Sequence, residues 1–171
     1  MPAVKCDIIV AGGGLAGLSL LYRAMKAGIW KTEQIIVIDR SGKQENDKTW
    51  SFWKTEDSAF EEIIHHRWEN LVFFSNEGQK ILLKSGVYTY NSIRSLDFYN
   101  HVLSYLKTFS NISFVREDIL TMTSSSGKCE LVTPSHTYNA TYLFNSVYNK
   151  PVLCKMDRYS ETVDCVRFTL R

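Results

Sequence analysis

The chain has no long apolar run, no cysteine pair at redox or metal spacing and almost no charge imbalance, and each absence excludes a class of function. No window approaches the roughly 18 consecutive apolar residues of a membrane-spanning helix. Any membrane association is therefore expected to be peripheral, at the inner membrane surface. Residues Met1 to Asp7 contain no basic stretch followed by an apolar one, and a strand-like run begins almost at once, which is not the pattern of a secretory signal. Cys6, Cys129, Cys154 and Cys165 form no C-x-x-C pair, and no histidine stands at metal spacing, so a reduced cytoplasmic protein without a metal is expected. His65 and His66 are adjacent and cannot share one helix face, which suits surface positions better than ligands. Lysine and arginine number 20 against 18 acids, a net charge of +2, and the aromatics do not alternate with the basic residues. Nucleic acid is not an expected partner.

Against these absences stands one strong motif. The run Asp7-Ile8-Ile9-Val10-Ala11 reads as a buried strand that enters Gly12-Gly13-Gly14-Leu15-Ala16-Gly17 and opens a helix. Gly12 permits the tight turn, Gly14 lets backbone approach a pyrophosphate, and Gly17 lets the helix pack on the strand. Amides of the first helical turn, carrying roughly +0.5 charge from the macrodipole, then face the anion. A second apolar run, Gln34 to Ile38, ends in Asp39, about 20 residues on, where a ribose-binding acid belongs. A carboxylate there repels a 2′-phosphate, which favours FAD or NAD over NADP. The candidate cofactor residues at this end are Gly12, Gly13, Gly14, Ala16, Gly17, Asp39 and Arg40.

The pattern around the motif predicts an α/β fold. Leu15, Leu18, Tyr22, Met25 and Ile29 recur at helical spacing and end at Ala27-Gly28. Residues 41–49 read as a polar loop, followed abruptly by Trp50-Ser51-Phe52-Trp53, a candidate lining. A short helix is expected over Ser58 to Trp68, with Glu61-Glu62 on a solvated face, and a hairpin over 70–85 around Glu77-Gly78. Ser95 is read as the cap of a second helix, with Leu96, Tyr99, Leu103 and Leu106 on one face. A parallel strand at Ile112 to Arg116 and three short β runs, around 119–123, 129–133 and 138–144, follow. The expected architecture is a Rossmann-like, three-layer FAD/NAD(P)-binding domain over 1–50 and 86–148, interrupted at 51–85 by an antiparallel substrate-domain segment. Residues 149–171 fit this scheme poorly and are read as the mark of a fragment or of replaced sequence.

Three segments give the motif a more specific context: Asn46-Asp47-Lys48-Thr49-Trp50-Ser51-Phe52-Trp53, His66-Arg67-Trp68, and Tyr88-Thr89-Tyr90-Asn91-Ser92-Ile93-Arg94-Ser95-Leu96-Asp97-Phe98-Tyr99. With the glycine turn they resemble the N-terminal part of a bacterial lycopene cyclase of the flavoprotein β-cyclase type, from about residue 5 to residue 146. The resemblance implies cyclisation of the linear ends of lycopene to β-ionone rings, a redox-neutral reaction that uses reduced FAD with NAD(P)H as electron source. It also implies that Arg94 serves the flavin side, that Thr49 closes over the cofactor, that Asp118 or its neighbouring backbone meets the adenine, and that Trp50, Phe52 and Trp53 line the polyene path. The acidic segment that supplies the proton in such enzymes lies in their later half, so the catalytic acid is not assigned here. Two alternatives remain: another FAD-dependent oxidoreductase, of hydroxylase or prenyl reductase type, and an inactive nucleotide-binding module.

Overall fold

Two runs of β-branched residues, Ile8-Ile9-Val10 and Ile35-Ile36-Val37-Ile38, are buried on both faces, and the fold is built on them. A computed structural model describes residues 2–56, 59–125 and 127–147. In chain order its first elements are β1 (Ala3–Lys5), β2 (Ile8–Ala11), α1 (Leu15–Lys26), β3 (Ile35–Ile38), β4 (Thr49–Lys54), β5 (Ile64–Trp68), β6 (Leu71–Phe74) and β7 (Lys80–Leu83). They are followed by β8 (Thr89–Arg94), α2 (Ser95–Leu106), β9 (Ile112–Val115), β10 (Thr121–Ser125), β11 (Lys128–Val132), β12 (Thr137–Ala140) and β13 (Tyr142–Asn145). The chain divides into two units, one of Met1–Asp47 with Ser95–Val147 and one containing Lys48–Arg94.

In the first unit a parallel sheet runs in the order β13-β2-β3-β9, with Ile8 opposite Ile35 and Ile35 opposite Ile112. The pleat sends Ile9, Ala11, Ile36 and Ile38 to one face, where Leu131, Tyr138 and Ala140 of the antiparallel layer β12-β11-β10 cover them. Val10 points to the other face, beneath Gly17 of α1, and α2 packs beside α1. Each fully buried Ile, Leu or Val contributes about 1.5–3 kcal/mol, so these three layers carry most of the unit's stability. The three-layer α/β expectation holds. The β run around 138–144 divides at Thr141 between two sheets, because β12 continues the antiparallel layer and β13 joins the parallel one.

Helix α1 buries Leu18, Leu21, Tyr22 and Met25 and stops one residue before Ala27. Gly28 then adopts φ +73°, and Ile29 N–H donates to Ala24 O while Gly28 N–H donates to Met25 O. These crossed bonds satisfy the last carbonyls, so Ile29 lies past the helix and half exposed, not on its face. The buried face of α2 is Ser95, Phe98, Tyr99, Val102 and Leu106, which leaves Leu96 and Leu103 only partly covered. Cys6 and Cys129 are free thiols, and burial, then the Asp7 charge, pushes Cys6 up to about 11. Cys154, Cys165 and the whole of 149–171 lie outside the described residues. Among the described residues no helix is long and apolar enough to cross a membrane.

The second unit corrects one expectation. The helix expected over Ser58 to Trp68 is instead a single 3-10 turn at Glu61–Ile63 followed by β5. Phe60, Ile64 and Trp68 have helical spacing, but β8 pairs with Ile64, His66, Arg67 and Trp68, the register shifting once between Ile64 and His66, and tertiary pairing overrides a short local pattern. Strand β8, which sequence patterning passes over, is the centre of the antiparallel sheet β4-β8-β5. The hairpin β6-β7 forms as expected, with Gly78 at φ +83° in its turn.

Glu61 is likewise not a plain solvated side chain. Its carboxylate accepts from Lys54 of β4 and Arg67 of β5, and Arg67 Nε also donates to Asn91 Oδ1 at 3.1 Å. The Lys54 hydrogen bond first, then Arg67, holds the Glu61 carboxyl below its ordinary value of 4.5. A depressed carboxyl contributes stability that is present above its unfolded-state value and lost as pH falls through the folded one. The urea midpoint of the wild type should therefore fall more steeply than that of Glu61→Gln below about pH 4.5. Parallel pH dependences would refute this role.

Candidate functional site

The end of β2 is shaped by what two absent side chains would hit. Gly12 takes φ +95° and donates its N–H to Ile38 O at 2.8 Å. A Cβ on Gly17 would stand 2.2 Å from Gly12 O, so α1 can lie this close to the turn only with glycine there. Ser146, just past β13, sets its hydroxyl 3.0 Å from Ala11 O and 2.8 Å from Gly12 O and so braces the turn from the neighbouring strand. No motif marks Ser146; its place follows only from β13 pairing with β2.

At Gly14 the situation reverses, because a Cβ there meets nothing within 4 Å. Gly14 is the N-cap of α1, without a side-chain cap, and no acid occupies the first turn. The leading amides of the helix thus open onto free space, the arrangement that receives an anion. Ala16 lies on the exposed side of this first turn.

Asp39, at the end of β3, is fixed beside the turn. Its Oδ2 accepts from Gly13 N–H at 2.7 Å and pairs with Lys43 Nζ at 3.0 Å, while Oδ1 accepts from Ser41 N–H at 2.7 Å. A carboxylate has about four acceptor positions, so capacity for a ribose hydroxyl remains. Below lies a cleft of about 150 Å³ whose walls include Leu18, Val37, Phe114 and Val115, with Gly13 and Asp39 at its edge. Apolar walls beside a carboxylate suit a purine and its ribose.

The loop that follows is tied to α2. Asn46 Oδ1 accepts from Leu96 N–H at 3.4 Å and lies 3.3 Å from Ser95 Oγ, so the loop supplies an acceptor at the helix start, and Ser95, read from sequence as the cap, is instead the first residue of α2, its hydroxyl turned to the loop. Lys43 Nζ stands 5.5 Å from the centre of the Tyr99 ring. Burial, then the charges of Asp47 and Asp39, pushes the Tyr99 hydroxyl up to about 12, so it stays protonated and serves as a donor to Asp47. Arg40 is exposed and contributes its carbonyl to Arg116 Nε at 3.3 Å. Asp118 is exposed on the segment after β9 and lines neither this cleft nor the polar one beside it.

The remaining candidates lie in the second unit. Thr49 and Arg94 are cross-strand partners at one end of the β4-β8 ladder. Alternation along β4 puts Trp50 and Phe52 on one face and Trp53, 49% exposed, on the other. On that second face Trp53, Tyr90 and Trp68 occupy one row across three strands, with ring centroids 4.9 Å and 5.7 Å apart in succession. His66 joins them 4.3 Å from Trp68. This row is invisible in sequence because its members come from three separated segments.

A family model described as lycopene cyclase protein matches residues 7–135. No curated protein matches the sequence. Among solved structures the chain is similar to the flavin-dependent monooxygenase PieE, determined in complex with FAD and substrate, at 12% identity and TM-score 0.65 over 92% of this chain and 33% of that one. P. aeruginosa PqsL gives 10% identity and TM-score 0.60 over 82% and 42%. The p-nitrophenol 4-monooxygenase PnpA from Pseudomonas putida gives 13% and 0.55 over 84% and 40%. The likeness is one of fold, the Rossmann-like fold of flavoenzymes, and the chain spans between a third and about two fifths of these proteins.

Proposed function

The chain belongs to the lycopene cyclase protein family, and from that premise we propose that it carries the FAD-binding part of an enzyme that closes the linear ends of lycopene into β-ionone rings. The observation that carries the cofactor reading is the open helix start at Gly14 with Asp39 fixed beside it through the Gly13 amide. Gly12, Gly13, Gly14, Ala16 and Gly17 would take the pyrophosphate, Asp39 and the backbone at Arg40 the adenosine ribose, and the cleft walls at Phe114 and Val115 the adenine, a place that Asp118, outside the cleft lining, does not share. Thr49 and Arg94 are assigned to the flavin side, and NAD(P)H to the supply of electrons.

Cyclisation adds a proton to a terminal double bond, closes the ring on the resulting cation, and releases a proton, with no net oxidation or reduction. Reduced flavin, when bound, supplies negative charge that stabilises a cation where water is excluded. The chain's own aromatic row, Trp53, Tyr90 and Trp68, presents π faces that suit a conjugated polyene and a passing positive charge. Trp50 and Phe52 are the corresponding candidates on the opposite face. Glu61 is a poor proton donor, because two cations hold it ionised. A peripheral membrane contact belongs to the same reading: so apolar a substrate partitions into lipid, and β6-β7 exposes Phe74, Ile81 and Leu82.

The fold shared with monooxygenases favours one competing reading, an FAD-dependent hydroxylase or reductase. The two separate on electron balance. With lycopene and reduced FAD, a preparation containing this chain with the rest of its enzyme should yield monocyclic and bicyclic carotenes without consuming NAD(P)H in proportion to product. Proportional consumption selects the competitor, and failure of the chain to take up FAD in calorimetry removes both.

A further inference from the structure

We propose that His66 is the base that ends the cyclisation, and that its place on the sheet decides which carbon gives up the proton and so which ring is made. The inference rests on the cyclase reading above and adds its product selectivity. In the register of β4-β8-β5 one face is laid out in three successive rows. Thr49 opposite Arg94, assigned to the flavin side, forms the first, and the aromatic row assigned to the polyene forms the third. Between them stand Ser51, Ser92 and His66, so the one titratable side chain of the middle row lies where cofactor and substrate would meet.

A break in β5 puts it there. Ile64 pairs with Ile93 and His66 with Ser92, so two steps along β5 match one along β8, and His65 is the extra residue of a β-bulge. In an unbroken strand Ile64 and His66 would share a face. With the bulge Ile64 turns to the buried Ile93, while His66 stays exposed beside Trp68, the two rings 4.3 Å apart and tilted by 54°. Arg67, on the opposite face, is held by Glu61 and Asn91, which keeps that charged cluster away from the imidazole. On the face of His66, Arg94 is a fixed cation and the Tyr90 phenol is a far weaker base than a neutral imidazole, whose free ring nitrogen can accept a proton.

After the ring closes, the positive charge rests on the ring carbon that carries a single methyl group. Loss of a proton from the adjoining ring carbon that bears the polyene gives the β-ring, from the ring methylene on the other side the ε-ring, and from the methyl group the γ-ring. In each case the C–H electron pair becomes the second bond of the new double bond. The proton passes to His66 and then to water, which balances the proton added at the start with no oxidation or reduction. Such a cation yields a proton to any base at hand, so the position of the base, more than its strength, selects the product.

The test compares the ring isomers formed from lycopene and reduced FAD by the full enzyme, this chain together with the rest of it, and by its His66→Gln and His66→Ala variants. The wild type should make β-rings. In both variants the ratio of ε- plus γ-rings to β-rings should rise about tenfold or more, as water takes the proton from all three positions. His65→Gln, at the bulge beside it, should leave the ratio unchanged, and because a ratio is read within one protein, a general loss of stability cancels. A ratio within about twofold of wild type in either His66 variant, the same shift in His65→Gln, or loss of all ring formation while FAD stays bound overturns the proposal and leaves the cyclase reading standing. A wild type that forms no ring removes that reading and this one with it.

Discussion

Gly17→Ala should lower the stability of the protein by about 2 kcal/mol, the middle of the range for overpacking a tight contact. Local propensity argues the other way, since alanine in a helix interior gains up to about 1 kcal/mol over glycine. The contact decides the sign. A methyl at position 17 would lie 2.2 Å from Gly12 O, 2.9 Å from Ser146 Oγ and 3.0 Å from Val10 Cγ1, and the first of these is backbone that cannot rotate away. Relief requires α1 to lift from β2, which uncovers Leu18 and Leu21 and pulls Gly12 O from its brace at Ser146. With a urea slope of about 1–3 kcal/mol per molar, the unfolding midpoint should drop by roughly 1 M. Dinucleotide affinity should fall with it, because the turn and the helix start are displaced together. A midpoint equal to or above wild type would show that propensity wins and that α1 is not held by this contact.

What could be read in the sequence followed from how locally each feature is determined. The glycine turn, β2, β3 and α1 are legible because Ile8-Ile9-Val10, the spacing of Leu18, Tyr22 and Met25, and Gly28 all act within a few residues of themselves. Strand β5 was not, since Ile64-His65-His66-Arg67-Trp68 satisfies either period and only β8, more than twenty residues on, decides between them. Asp39 stands out in the sequence by its distance from the glycines, but its ion pair does not: Lys43 follows four residues later in a loop, where nothing in the pattern says that the ammonium folds back onto the carboxylate. Ser146 and the Trp53-Tyr90-Trp68 row carry no signal at all until the strands are paired. The site is thus readable where one segment builds it and hidden where several do.

Gly14→Val should do the opposite of Gly17→Ala, leaving the fold and removing the ligand. The backbone at Gly14, φ −85° and ψ −168°, is extended and open to any residue, and a Cβ there touches nothing within 4 Å. The structural penalty is then only that of a poorer N-cap, of order 0.5–1 kcal/mol. A branched side chain would, however, fill the space through which a pyrophosphate must reach the leading amides of α1. Hydrogen bonds to a charged group contribute about 1.5–3 kcal/mol each, so losing two amounts to about 3–6 kcal/mol, or two to four orders of magnitude in FAD affinity. Calorimetry of FAD binding beside urea unfolding reads both halves of the expectation. FAD affinity within fivefold of wild type would mean that the phosphates do not approach here, and the free helix start would then need another explanation. The same pair of measurements on Gly17→Ala moves both quantities together, so the two glycines, three residues apart in one motif, are separable by whether stability and affinity change in step.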